Sequence, residues 1–213
     1  MRSRSLAAIV LLLGTVLTVG VRAHPHVWID SSATFRFDAS GQVRAVTLIW
    51  RFDDLYSAFA IQGADGNRDG VTTPEELTEL GSINVEYLKQ WNYFTSILAD
   101  GVQVAVGTVD SFSNVNDDGI LTFSFTLPLV TPVDPRQQLL RMSSVDPSYY
   151  IAFQNDAERP AVATGDMPPE CKVATYGPEE TPKTVSDSLA MSLAADQNWA
   201  SSFAPKVAIE CTD

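Results

Sequence analysis

Between Val27 and Phe37 the chain alternates, with Val27, Ile29, Ala33, Phe35 and Phe37 on one face and Trp28, Asp30, Thr34 and Arg36 on the other. A period of two marks a strand buried on one side and wet on the other, so the chain must build a sheet over a core. Extended backwards, the same register carries His24 and His26 on the polar face. "SGQ" at 40–42 reads as a turn and 43–52 as a second strand, which makes a hairpin. Further strands are expected at 102–109, 119–127, 139–143, 149–153, 172–176 and 206–210, with a Pro-rich loop over 158–170.

Helical spacing replaces alternation in two places. Over 53–64, Leu55, Phe59 and Ile61 share one side; a second helix runs from Pro74 through Leu77, Leu80, Tyr87, Leu88 and Trp91 towards Leu98, with Gly81 as a break or bend. A third helix is expected at 184–195. The fold class is therefore α+β: a largely antiparallel β-sheet with an inserted, EF-hand-like helix–loop–helix over 53–98 and a further C-terminal helix. Trp28, Trp50, Trp91, Tyr149, Tyr150 and Phe153 read as core or sheet-face packing.

The N-terminus has the pattern of a secretory signal peptide: Arg2 and Arg4, an apolar run from Leu6 to Leu17, and small residues up to Ala23. The run is shorter than the roughly 20 residues a membrane helix needs. Cleavage after Ala23 makes His24 the first residue of a single exported domain, 24–213, in the periplasm or outside the cell. It removes three arginines and no acid, taking the formal charge from -12 to -15. Such a surface argues against nucleic acid as partner and favours cations. In an oxidising compartment Cys171 and Cys211 are expected to pair; a cysteine metal-ligand pair is the alternative.

The stretch "DGNRDGVTTPEE", residues 65–76, matches D-x-[DN]-x-[DN]-G-x5-E. Asp65, Asn67 and Asp69 offer hard oxygens, Gly70 permits a sharp turn, Val71 offers a carbonyl, Thr73 acts directly or through water, and Glu76 sits where a bidentate carboxylate closes a calcium shell. The competing reading is a solvated polar loop. No second loop of this kind occurs, so a structural clamp is expected rather than a paired sensor.

His24 and His26, two apart on one strand, would present both rings to one side, and neutral imidazoles suit zinc, nickel or copper. The ordinary reading is two polar strand residues near a terminus, since two ligands do not close a zinc site. Asp53 and Asp54, in "WRFDDLYS", stand at a strand-to-helix junction where carboxylates cap helices. Asp53 completing a transition-metal site is the second reading.

"AHPHVWID", "WRFDDLYS", "DGNRDGVTTPEE" and "DPSYYIAF" together resemble the bacterial periplasmic family catalogued as domain of unknown function 1007, which is also labelled an uncharacterised transport-system periplasmic component. The resemblance spans most of the chain beyond the leader. It implies metal handling, because members tend to be encoded beside nickel, cobalt or zinc export permeases. The expectation is an exported metal-binding accessory to a membrane metal permease, not an enzyme. The rivals are a metal-dependent periplasmic enzyme and an interaction module with structural calcium.

Overall fold

The alternating segment becomes the strand around which one sheet is organised. In this computed structural model residues 22–109, 111–179, 185–186, 189, 192 and 197–212 are described. The strands in chain order are β1 (Arg22–His24), β2 (Val27–Phe37), β3 (Val43–Phe52), β4 (Thr95–Ala99), β5 (Val102–Gln103), β6 (Phe112–Asp117), β7 (Ile120–Val133), β8 (Leu140–Ser144), β9 (Ile151–Asn155), β10 (Val162–Thr164), β11 (Cys171–Tyr176), β12 (Val185–Ser186) and β13 (Lys206–Cys211). Helix α1 (Asp54–Ala64) and α2 (Pro74–Lys89) lie between β3 and β4, and α3 (Gln197–Ser202) precedes β13.

The fold is α+β and mostly β, but in several sheets rather than one. The order β2-β3-β7-β6 is an antiparallel ladder, and on the free edge of β2 both β9 and β10 pair in parallel, β9 along its first half and β10 along its second. A second, antiparallel sheet runs β11-β13-β8-β4-β5, and β1 pairs with β12 alone. Trp50 lies in the core with Phe125 and Phe153 at 4.9 and 5.2 Å between ring centroids. Cys171 and Cys211 stand opposite each other across β11 and β13 and form a disulfide. On the chain-entropy model, closing that loop stabilises the fold by roughly 4 kcal/mol.

The first hairpin forms as expected from Val27 onward but not through His26, and several later elements differ for physical reasons. Helix α2 stops at Lys89, and residues 95–99, expected to be helical, form β4. Between them Asn92, Tyr93 and Phe94 all have positive φ, at 51°, 55° and 47°. Expected strand 102–109 shrinks to β5 and one bridge, Val106 to Leu129. Strand β6 was absent from the pattern because "FSNVND" is polar; Asn114 is nevertheless buried, its amide donating to the Leu77 carbonyl of α2. Strand β7 continues past Pro128, whose carbonyl accepts the Gly107 N–H at 2.8 Å. The expected strand 149–153 begins only at Ile151, and the loop expected at 158–170 contains β10. Of the helix expected at 184–195, Val185 and Ser186 are strand, Leu189 and Ser192 are helical, and the remainder lies outside the described residues, as does nearly all of the expected leader.

Helix α1 overturns its apolar stripe. Leu55 and Phe59 are 79% and 73% exposed, and the buried residues are Ser57 and Ala60. Small side chains let the helix approach β7 closely, and the Ser57 hydroxyl accepts the Leu121 N–H at 3.0 Å. Gly81 plays the equivalent part in α2 and does not break it, since a Cβ there would stand 3.0 Å from the Phe112 ring. Ser57→Ala leaves a buried N–H without its partner and is expected to lower stability by about 1–3 kcal/mol in chemical denaturation, with the slope unchanged. A change below about 0.5 kcal/mol would mean that the hydroxyl carries none of the helix-to-sheet docking.

Candidate functional site

The loop between α1 and α2 folds back on its own backbone. The Asp65 carboxylate accepts the N–H groups of Asp69 (3.2 Å) and Gly70 (2.9 Å), and Asn67 Oδ1 accepts that of Asp69 at 2.8 Å. Asp69 Oδ1 accepts the Val71 N–H at 2.8 Å, and Gly70 takes a φ of 86°, the left-handed turn anticipated for a glycine. From the far end, Glu76 Oε1 accepts the Gly66 N–H at 3.0 Å, so the first and last acids are tied to one short backbone segment. Thr73 caps α2 in a capping box: its hydroxyl accepts the Glu76 N–H, and Glu76 Oε2 accepts the Thr73 N–H. The chain thus brings Asp65, Asn67, Asp69 and Glu76 into one hydrogen-bonded loop. Among the described residues, however, no three Asp, Glu, His or Cys side chains converge as a metal shell would require.

At the N-terminus the expected continuous strand is interrupted. His24 ends β1, paired with Val185; Pro25 and His26 belong to neither neighbouring strand, and β2 starts at Val27. Proline withholds an N–H at the point where the chain exchanges β12 for β9 as its neighbour. His26 therefore lies outside any strand, and the single strand expected to carry both histidines does not form. The exposed His26 ring stacks on Tyr150 at 4.7 Å, and the His26 backbone N–H donates to the Tyr150 carbonyl. Asp53 does the capping work: Oδ1 accepts the Tyr56 N–H at 2.9 Å, and Oδ2 accepts the Trp28 N–H at 2.8 Å.

Beside His26 lies a feature that periodicity did not anticipate. A cleft of about 450 Å³ opens between α1, the end of α2 and the loop before β9, and the rings of Tyr56, Tyr87, Trp91, Phe94 and Tyr150 line it. Trp91 and Tyr150, read from sequence as packing residues, are 48% and 47% exposed, whereas Trp50, Tyr149 and Phe153 are buried. Asp146 is the one charged residue in the lining among the described residues. It is buried, and accepts from the Ser148 N–H and hydroxyl and from the Ile151 N–H. Burial pushes the Tyr56 phenol up, and the neighbouring Tyr150 and Asp53 act in the same direction. A sequence signal did exist: Tyr87 and Trp91 are four residues apart, Tyr87 in the last turn of α2 and Trp91 just past its end.

The Glu76 carboxyl is held below its ordinary value of 4.5, first by the Thr73 N–H, then by the Thr73 hydroxyl and by N–H groups of the loop, against an opposing effect of burial. A carboxyl lowered on folding contributes stability that is present above its unfolded value and lost as pH falls through the lower, folded one. Its contribution should accordingly persist to pH 4.5 and fade only below it. Thr73→Ala removes the hydroxyl but keeps the backbone donor, so carboxyl NMR titration should find the Glu76 pKa raised part of the way back. An unchanged pKa would remove the hydroxyl from the account.

Compared with known proteins, the chain is 26% identical to an uncharacterized protein of Haemophilus influenzae over 207 residues, covering 94% of this chain and 97% of that one. The model of one family, described as a protein of unknown function (DUF1007), matches residues 9–211. With nearly its whole length matched, and with the segments that build the loop, the capping carboxylate and the cleft inside the match, the chain belongs to the DUF1007 family.

Proposed function

We propose that this protein is an exported cation-binding protein that takes calcium in an EF-hand-like loop at Asp65, Asn67, Asp69, Val71, Thr73 and Glu76, and that it serves a membrane metal permease as an accessory. The observation that carries the calcium reading is that acids from both ends of the loop bind its backbone: Asp65 accepts from Asp69 and Gly70, and Glu76 accepts from Gly66. The donor set fits a hard cation, because carboxylate, amide and backbone carbonyl oxygens suit calcium. Bound calcium would supply a divalent charge to four acidic or amide side chains, drawing together a shell that is not convergent on its own. The acidic balance of the chain, -12, favours cations over anions at long range. Export is supported by the leader pattern, and the link to a permease by the family resemblance.

Calcium at about ten to a hundred times an extracellular-type dissociation constant is expected to raise the melting temperature by about 3–10 °C. Glu76→Gln should abolish most of that increment. The calcium-dependent increment is the readout, because loss of the capping carboxylate also lowers the starting temperature. The same increment in wild type and variant, or none in wild type, would refute calcium binding.

Zinc, nickel or copper at His24 and His26, with Asp53 near the same strand end, is the second part of the proposal. Its support is narrower: His26 is exposed, and Asp53 binds the backbone of Trp28 two residues further on. Calorimetry with zinc at pH 7.5 should give at least tenfold weaker binding for His26→Ala than for wild type, a loss of about 1.4 kcal/mol. Equal affinity would leave the histidine as a stacking partner of Tyr150 and the function with calcium alone.

A further inference from the structure

We infer that the aromatic cleft beside His26 is a binding site for a small organic cation of the quaternary-ammonium class. Five aromatic rings and a buried carboxylate converge on one concavity of about 450 Å³, within the size range of ligand sites. Aromatic faces carry negative potential and attract a poorly hydrated cation, which gains little from them in water and more once desolvated. Among the described residues no lysine or arginine lines the cleft to fill it or to repel such a ligand. Asp146 brings a carboxylate to the lining, and the Asp53 carboxylate is bound to the Tyr56 N–H. The carboxylate of Asp146 is already satisfied by the Ser148 and Ile151 donors, so it acts at a distance as fixed charge, not as a ligand that would have to be freed.

Two further features separate this cleft from a chance gap in packing. Phe52 stacks on one face of Tyr56 and His26 on one face of Tyr150, at 4.7 Å in both cases, which holds the two rings in place. The segments on either side of the cleft also hold bulky residues in the left-handed region: Asn92, Tyr93 and Phe94 after α2, and Tyr149 before β9, at φ 56°. Aromatic side chains rarely adopt this backbone conformation, and a run of three residues in it is one that the surrounding contacts must hold. The Tyr93 hydroxyl accepts the Val109 N–H, and the Asn92 amide donates to the Thr95 carbonyl, which supplies that hold. The effect is to keep Trp91 and Phe94 at the cleft while Tyr93 is buried.

The test compares choline with its neutral isostere 3,3-dimethylbutan-1-ol by calorimetry on the full exported chain, with calcium absent. Choline is expected to bind about tenfold or more tightly than the alcohol. Tyr87→Leu and Trp91→Leu, both at half-exposed helix-end positions, should each weaken choline at least about fivefold while circular dichroism stays that of wild type. Equal binding of cation and alcohol would show an apolar cleft without cation recognition and overturn the inference, as would no binding of either at tens of millimolar. If a variant fails to fold, discrimination between the two ligands by the wild-type protein decides alone. Because no step involves the calcium loop, failure here leaves the calcium proposal standing, and the reverse is also true.

Discussion

The carboxylate of Asp53 governs how this chain turns from sheet to helix. One oxygen takes the first-turn N–H of α1, and the other takes the Trp28 N–H at the start of β2, while the Asp53 N–H returns to the Trp28 carbonyl. Helix ends leave N–H groups that need acceptors, and a strand edge leaves the same need. One side chain meets both, so the start of α1 is pinned to the beginning of β2. Everything downstream, the acidic loop, α2 and the cleft, hangs from that junction.

From the junction onward, small residues decide how closely helices approach the sheet. Ser57 and Ala60 of α1, and Gly81 of α2, occupy the contact positions, where larger side chains would hold the layers apart. Burying a serine is costly unless its hydroxyl is used, and here it accepts the N–H of Leu121. The consequence for function is that larger apolar residues turn outward. Leu55 and Phe59 reach solvent, and Tyr87 and Trp91 are left at the rim of a cleft instead of in a core.

The two chemically distinctive regions sit at opposite ends of the helical insertion. The acidic loop joins α1 to α2, and the cleft gathers around the end of α2 and the start of α1. Asp, Asn and Glu side chains mark the first and aromatic rings the second, and under the two proposals each would take positive charge by different physics: hard coordination in one, ring potential and desolvation in the other. His26 belongs with the second region through its stack on Tyr150.

Local pattern by itself determined a good deal of this protein. The hairpin Val27–Phe52, the start of α2 at Pro74, the last strand and the Cys171–Cys211 bond follow from alternation, capping chemistry and cysteine pairing, each of which acts over a few residues or through a single covalent bond. The acidic loop was equally legible, because its residues are contiguous. Tertiary structure alone decided which face of α1 is buried, since a serine competes with leucine only when a particular N–H waits opposite it. It decided that polar β6 joins the sheet, that β9 and β10 pair in parallel with β2, and that Asn92–Phe94 turn left-handed before β4. It also assembled the cleft, from residues 56, 87, 91, 94, 146 and 150. No local pattern brings such positions together; long-range packing does, and that is set by the sum of many contacts rather than by the spacing of any one segment.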